Sequence, residues 1–301
     1  MSRRIVVVLA IFLAVVCGGA AFVWLHAGGQ SKTTVNFTPD PSPAADRTPP
    51  AATAQPAVPT ASTNEKQPNA VAHPAPVVAA GFAPPMGEAL EFSANVSKVN
   101  NVATLRLSVN GRREIAGKDA WHLQAFAHTQ NPLRIVFELD DQFDSYSAPG
   151  DFTSVQYEMR LSERGTKVNS IQRMTPTGRE PAPADATEAR VLPGTRDPLG
   201  MMQYLRSVDW SKAPEVHGPV YDGRKLYEIK ARKIGSAEVQ VPAGHFSTNT
   251  VEIRVFDGGQ EMKDAHFTLY LAEDAARTPV LLEATLPFAE ARVQLVKKSG
   301  Q

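Results

Sequence analysis

From about residue 88 onward, polar and apolar residues alternate with period two, which predicts β-strands with one buried and one solvated face. Leu90, Phe92, Ala94 and Val96 alternate with Glu91, Ser93 and Asn95, and Leu105, Leu107 and Val109 alternate with Thr104, Arg106 and Ser108. Trp121, Leu123 and Ala125 share one face over residues 118–127, and Val155, Tyr157, Met159 and Leu161 share one over 155–161. Further strands are expected near 167–174, 227–233, 237–241, 248–255, 265–271, 279–286 and 289–296. Asn110-Gly111 predicts a hairpin. Glu163-Arg164-Gly165, Pro242-Ala243-Gly244 and Asp257-Gly258-Gly259 predict turns. Residues 175–189 read as a loop. Leu133, Val136 and Phe137 allow a short helix, and Glu138, Asp140, Asp141 and Asp144 after them resemble a solvated turn. Their spacing departs from a calcium-binding EF-hand loop.

One stretch breaks the period. Asp197 is a good N-cap because its carboxylate can accept from free N–H groups of a first helical turn, and Pro198 suits the first helical position. Leu199, Met202, Leu205 and Val208 recur at helical spacing, and Met201 and Tyr204 widen that apolar face. A helix of about ten residues spans only ~15 Å and cannot cover so many strands, so the sheet must curl around it. The predicted fold is mainly β: a strongly curved antiparallel sheet or half-open β-barrel of about ten strands with one helix packed across the concave face. Met201, Met202, Tyr204, Leu205 and Trp210 are the candidate lining of a ligand pocket there, since methionine adapts to varied apolar shapes. The same side chains would serve equally as core. Asp197 and Arg206 read as ordinary helix-end residues, a cap and a cation near the negative end of the dipole.

The first 83 residues are organised differently. Arg3 and Arg4 precede residues 5–27, an apolar run long enough to cross a ~30 Å hydrocarbon core. Cations before the run and few after it place the N-terminus in the cytoplasm and the rest outside. A retained inner-membrane anchor at 1–27 is the expectation. A signal peptide cleaved near Gly19-Ala20-Ala21 is the alternative, with the domain then free in the periplasm. Bulky Val15-Val16 disfavours lipidation of Cys17. Residues 28–83 are rich in Pro, Ala and Thr and poor in groups to bury, which predicts a disordered tether. The third segment, 84–301, is the β-rich domain, expected to be periplasmic.

Charge adds an exclusion. Lys plus Arg number 31 and Asp plus Glu 31 among 301 residues, so there is no basic footprint for nucleic acid. The single cysteine rules out an intrachain disulfide. His122, His128, His217, His245 and His266 show no metal-ligand spacing. There is no G-x-S-x-G elbow, P-loop or dinucleotide fingerprint. No metal site, cofactor or catalytic residue is expected.

Several blocks follow in a specific order: Gly87-Glu88-Ala89-Leu90-Glu91-Phe92; Asp141-Gln142-Phe143-Asp144-Ser145-Tyr146; Asp197-Pro198-Leu199 with Tyr204-Leu205-Arg206; Tyr221-Asp222-Gly223 with Tyr227; Val241-Pro242-Ala243-Gly244-His245-Phe246; Arg277-Thr278-Pro279-Val280 with Glu283-Ala284 and Pro287-Phe288. Over roughly 86–297 the chain resembles the bacterial exported family catalogued as domain of unknown function 3108. The resemblance implies an envelope location and a mostly β fold, and it carries over no catalytic residue. The expected function is that of a membrane-tethered, noncatalytic envelope domain binding a hydrophobic ligand, such as a lipid, or another envelope protein. An envelope hydrolase and a purely structural interaction module are the alternatives.

Overall fold

The computed structural model describes residues 81–176, 187–286 and 289–300. The expected anchor at 5–27, nearly all of the tether at 28–83, Cys17 and Pro287-Phe288 lie outside the described residues. Among the described residues no helix is long and apolar enough to cross a membrane.

Thirteen strands form one sheet: β1 (Ala89–Val96), β2 (Val99–Ile115), β3 (Lys118–Thr129), β4 (Asp140–Ser147), β5 (Ser154–Glu163), β6 (Thr166–Pro176), β7 (Glu188–Val191), β8 (Glu215–Tyr221), β9 (Leu226–Val241), β10 (Gly244–Asp257), β11 (Gln260–Ala272), β12 (Pro279–Leu286) and β13 (Ala289–Ser299). Among the described residues two helices interrupt them, α1 (Leu133–Val136) and α2 (Pro198–Ser207). The spatial order runs β7-β6-β5-β4-β3-β2-β1-β13-β12-β11-β10-β9-β8. Sequence neighbours therefore pair as hairpins, and β1 with β13 joins the two halves. All pairs are antiparallel except β6 with β7.

The tight turns have a local cause. Arg164 and Gly165 (φ 49° and 81°) and Gly258 and Gly259 (φ 56° and 81°) take two successive left-handed residues, the geometry that suits the right-handed twist of the flanking strands. Ala116 and Gly117 (φ 52° and 72°) do the same between β2 and β3. The expected hairpin at Asn110-Gly111 is corrected: these residues form an irregularity inside β2, where the register with β3 shifts between Val109 and Arg112. The turn falls six residues later because Arg112–Ile115 still find partners on β3.

The expected strand number of about ten is also corrected. The predicted strands at 227–233 and 237–241 are one, β9, while β4, β7 and β8 were not foreseen. Acidic residues concealed β4, and Gly218-Pro219 interrupts the pattern of β8. Part of the expected loop at 175–189 belongs to the end of β6 and to β7.

The curled sheet is bridged across its opening by the segment just before α2. Ser154 at the start of β5 donates its N–H to Thr195 O (3.0 Å), and the next residue pairs with β8. Arg196 N–H donates to Pro219 O (3.0 Å), and Tyr221 N–H to Arg196 O (2.9 Å). The segment leading into α2 is thus a strap between β5 and the edge strand β8 of a nearly closed barrel. Nearby, Gly223 (φ 96°) in the β8–β9 turn lies against the end of Met159 of β5, which would have to shift to admit a side chain at 223.

Candidate functional site

The inner faces of the strands and helix α2 share one continuous apolar core, including Leu90, Leu123, Phe267, Leu269 and Leu295. Helix α2 is buried on nearly every side, and Met202 is its one residue that is only half-buried.

Its N-terminus is fixed by Asp197, which is fully buried. Asp197 Oδ1 accepts from Leu199 N (2.9 Å) and Gly200 N (3.0 Å). Its Oδ2 accepts from Ser145 Oγ (2.6 Å) and from Ser154 Oγ, while Ser154 Oγ also accepts from Asp197 N (2.7 Å). Burial pushes the carboxyl pKa up, and these four donors oppose that rise. Gly200 allows the close fit: a methyl group there would stand 2.7 Å from Phe152 O and 2.8 Å from Ser147 Oγ.

The C-terminus is fixed from the residue just before β1 and from the β11–β12 loop. Arg206, 1% exposed, forms a two-pronged ion pair with Glu88, Nη1 to Oε2 at 2.7 Å and Nη2 to Oε1 at 3.0 Å. Arg206 Nε and Nη2 also donate to Ala276 O (3.1 and 2.8 Å), and Nη1 donates to Gln203 Oε1 (3.1 Å). All five guanidinium N–H groups therefore have a partner, the condition under which a buried charge is tolerated. Arg206 is accordingly a cross-sheet anchor more than a dipole partner. The last carbonyls are served by Arg277, whose Nη1 donates to Arg206 O (2.9 Å) and Val208 O (2.6 Å).

Phe82, half-buried, packs against the core near both ends of the helix. It packs edge-on against Phe152, with centroids 6.4 Å apart, and the Arg277 guanidinium lies 5.5 Å from its ring centre. Since Phe152 touches the start of α2 and Arg277 its end, Phe82 bridges the two ends of the helix.

The structure gathers the five sequence-predicted pocket residues on and beside α2. Met201 packs toward Gly218 of β8. Tyr204 is buried beneath the Arg196 guanidinium, 3.8 Å from its ring centre. Leu205 is buried, and its carbonyl accepts from Trp210 Nε1 (3.2 Å). Tyr204, Leu205 and Trp210 thus pin the helix, and Met202 alone keeps appreciable exposure. Leu107 completes this picture. By register it lies on the inner face of β2 between Leu90 and Ala125, both buried, yet it is only half-buried itself.

The expected solvated turn of acidic residues is corrected. Asp140 to Asp144 lie on β4, where alternation sends Asp141 inward and Asp144 outward, and both are buried. Burial pushes Asp141 up to about 7, against the Ser162 N–H it accepts (2.9 Å), and Glu163, bonded to Asp141, adds to the rise. Glu163 is itself raised by burial, and Arg224 in the β8–β9 turn opposes the shift. On the outer face Asp144 accepts from His122 Nε2 (2.8 Å), Gln124 Nε2 (2.7 Å), Gln142 Nε2 (2.7 Å) and Arg160 Nη1 (2.6 Å). Burial alone would raise its pKa; these donors outweigh burial and hold it at about 2. His122 stacks on Tyr146 with ring centres 4.8 Å apart. Its Nδ1 is buried without a partner, so neither ring nitrogen faces a hydroxyl nucleophile. Sequence reading missed these convergences because strand pairing, not chain spacing, creates them.

Fold and site together define a curled β-sheet domain stoppered by a buried helix. The chain belongs to the family described as Protein of unknown function (DUF3108), whose profile matches residues 91–296. Among curated proteins nothing matches. Among solved structures, a beta-barrel-like protein of domain of unknown function DUF1849 from Brucella abortus is similar at 10% identity, with a TM-score of 0.49 over 72% of this chain and 98% of that one. An exported protein with a YmcC-like fold from Bacteroides fragilis gives 10% identity and a TM-score of 0.30, over the same shares of the two chains. A protein described as a lipoprotein from Parabacteroides distasonis gives 11% and 0.36, over 72% of this chain and 97% of that one.

Proposed function

We propose that the chain is a membrane-tethered, noncatalytic domain of the bacterial cell envelope. Residues 5–27 anchor it in the inner membrane, and the domain stands in the periplasm. It binds an apolar ligand of the acyl-lipid kind inside the curled sheet beside α2. One observation carries this reading: Met202 and Leu107 pack against the apolar core yet stay half-buried, while Met201, Leu205, Leu90 and Ala125 beside them are buried. Partly uncovered apolar side chains of this kind favour an apolar guest, because they offer no hydrogen bonds to water. A hydrolase reading gains less support, since His122 has a carboxylate but no nucleophile.

Lipid extraction from the purified full chain, followed by mass spectrometry, tests the proposal. The expected result is an acyl lipid enriched over the bulk membrane composition, and lost when Met202→Trp and Leu107→Phe fill the space without lowering the melting temperature. Equal lipid recovery from the wild type and the filled variant would refute it.

A further inference from the structure

The outer face of β3–β5 is built unlike the rest of the sheet's exterior. On β9 and β10 the outer positions carry solvated ion pairs such as Arg232–Glu252. On β4 and β5 they carry Asp144 and Glu158, only 3% and 8% exposed. Strand register sets Phe126, Gln142 and Arg160 in one cross-strand row and Gln124, Asp144 and Glu158 in the next. Adjacent members of a row stand ~4.8 Å apart.

The buried carboxylates act as fixed posts. Asp144 holds Gln124, Gln142 and Arg160 by their N–H groups, and Glu158 holds Arg160 Nη2 (2.9 Å). Side chains restrained in this way present planar donors and acceptors without losing rotamer freedom when a ligand arrives. They surround Phe126, which is 41% exposed and is the one exposed large hydrophobic residue on these three strands. The charges are mixed: Asp144 and Glu158 face Arg160, Arg106 and Glu91 continue the Phe126 row on β2 and β1, and Asp140, paired with Arg134, stands opposite His128 in the row beyond. A site with fixed polar forks, an open aromatic face and charges that already pair with one another favours a neutral ligand over an ionic one. It fits a ring that is flat and apolar on one side and carries hydroxyls at its edge.

We propose that this face binds a neutral saccharide, its ring stacked on Phe126 and its hydroxyls hydrogen-bonded to Gln124, Gln142 and Arg160. The site lies on the opposite side of the sheet from the interior and stands whether or not the interior takes a lipid.

The test uses the full chain in a polyoxyethylene detergent, which has no sugar headgroup to compete. Three probes are offered: purified peptidoglycan sacculi, vesicles carrying a neutral glycolipid, and a soluble N-acetylglucosamine tetramer followed by calorimetry. Retention on at least one is expected, and the pattern separates a cell-wall glycan from a lipid-linked one. Phe126→Ala should weaken binding by ~10-fold or more while Phe126→Trp preserves it, with melting temperatures unchanged because the ring is half exposed. Gln142→Ala should weaken it as well. No retention on any probe, or equal retention by Phe126→Ala, overturns the proposal. So does a photo-crosslinker at position 126 that captures a protein in cells, which would make the face a protein interface.

Discussion

Replacing Glu88 by alanine should destabilise the fold more than any other single change at the ends of α2. The substitution leaves the Arg206 guanidinium buried with two of its hydrogen bonds missing and its charge uncompensated, at a position 1% exposed. Breaking one side of a buried ion pair in this way costs about 3–5 kcal/mol. A domain of ordinary stability has only about 5–15 kcal/mol in total, so the variant should be marginal. Urea denaturation followed by tryptophan fluorescence reads the loss directly. Trp210 is a fitting reporter because its Nε1 donates to the helix carbonyl of Leu205. The midpoint should fall with the slope preserved, since the surface exposed on unfolding is nearly the same. A paired variant, Glu88→Gln with Arg206→Met, removes the charge from both sides and should recover most of the loss. A single variant within about 1 kcal/mol of wild type would refute the reasoning, and so would a pair no better than Glu88→Ala alone.

Asp141→Asn should change the pH dependence of stability. The folded pKa of about 7 lies above the ordinary value of 3.8, so this group's contribution is complete below pH 4 and lost as pH rises through 7. The loss is about 4 kcal/mol at ~1.4 kcal/mol per unit, shared with Glu163 through the carboxyl–carboxyl bond. Urea midpoints at pH 4.5 and pH 8 should therefore diverge in wild type and converge in the variant. Gly200→Ala gains up to ~1 kcal/mol of helix propensity but should still lower the melting temperature, because the new methyl meets Phe152 O at 2.7 Å. Phe82→Ala should cost about 1–2 kcal/mol by removing the edge-on ring pair and the Arg277 contact, without changing the pairing of β1.

How far the sequence reveals this molecule can be judged from particular residues. Asp197-Pro198 marked the start of α2 because capping is decided by neighbours in the chain, and the structure places the helix at Pro198–Ser207. The alternating strands were visible for the same reason. Strand β4 was not, since Asp141 and Asp144 look solvated until β3 and β5 supply their partners. Arg206 looked like a surface helix-end cation because Glu88 lies 118 residues away. The distinction between Met202 and its buried neighbours depends on how the sheet wraps the helix, which local pattern does not encode.

The central claim is that α2 is a fixed stopper inside the curled sheet, held at Asp197, Arg206 and Arg277. Hydrogen exchange of the full chain by mass spectrometry tests it most directly. Amides of residues 201–207 should be protected as strongly as those of β3 and β12, opening only with global unfolding. Exchange there within seconds, while the strands stay protected, would contradict the account.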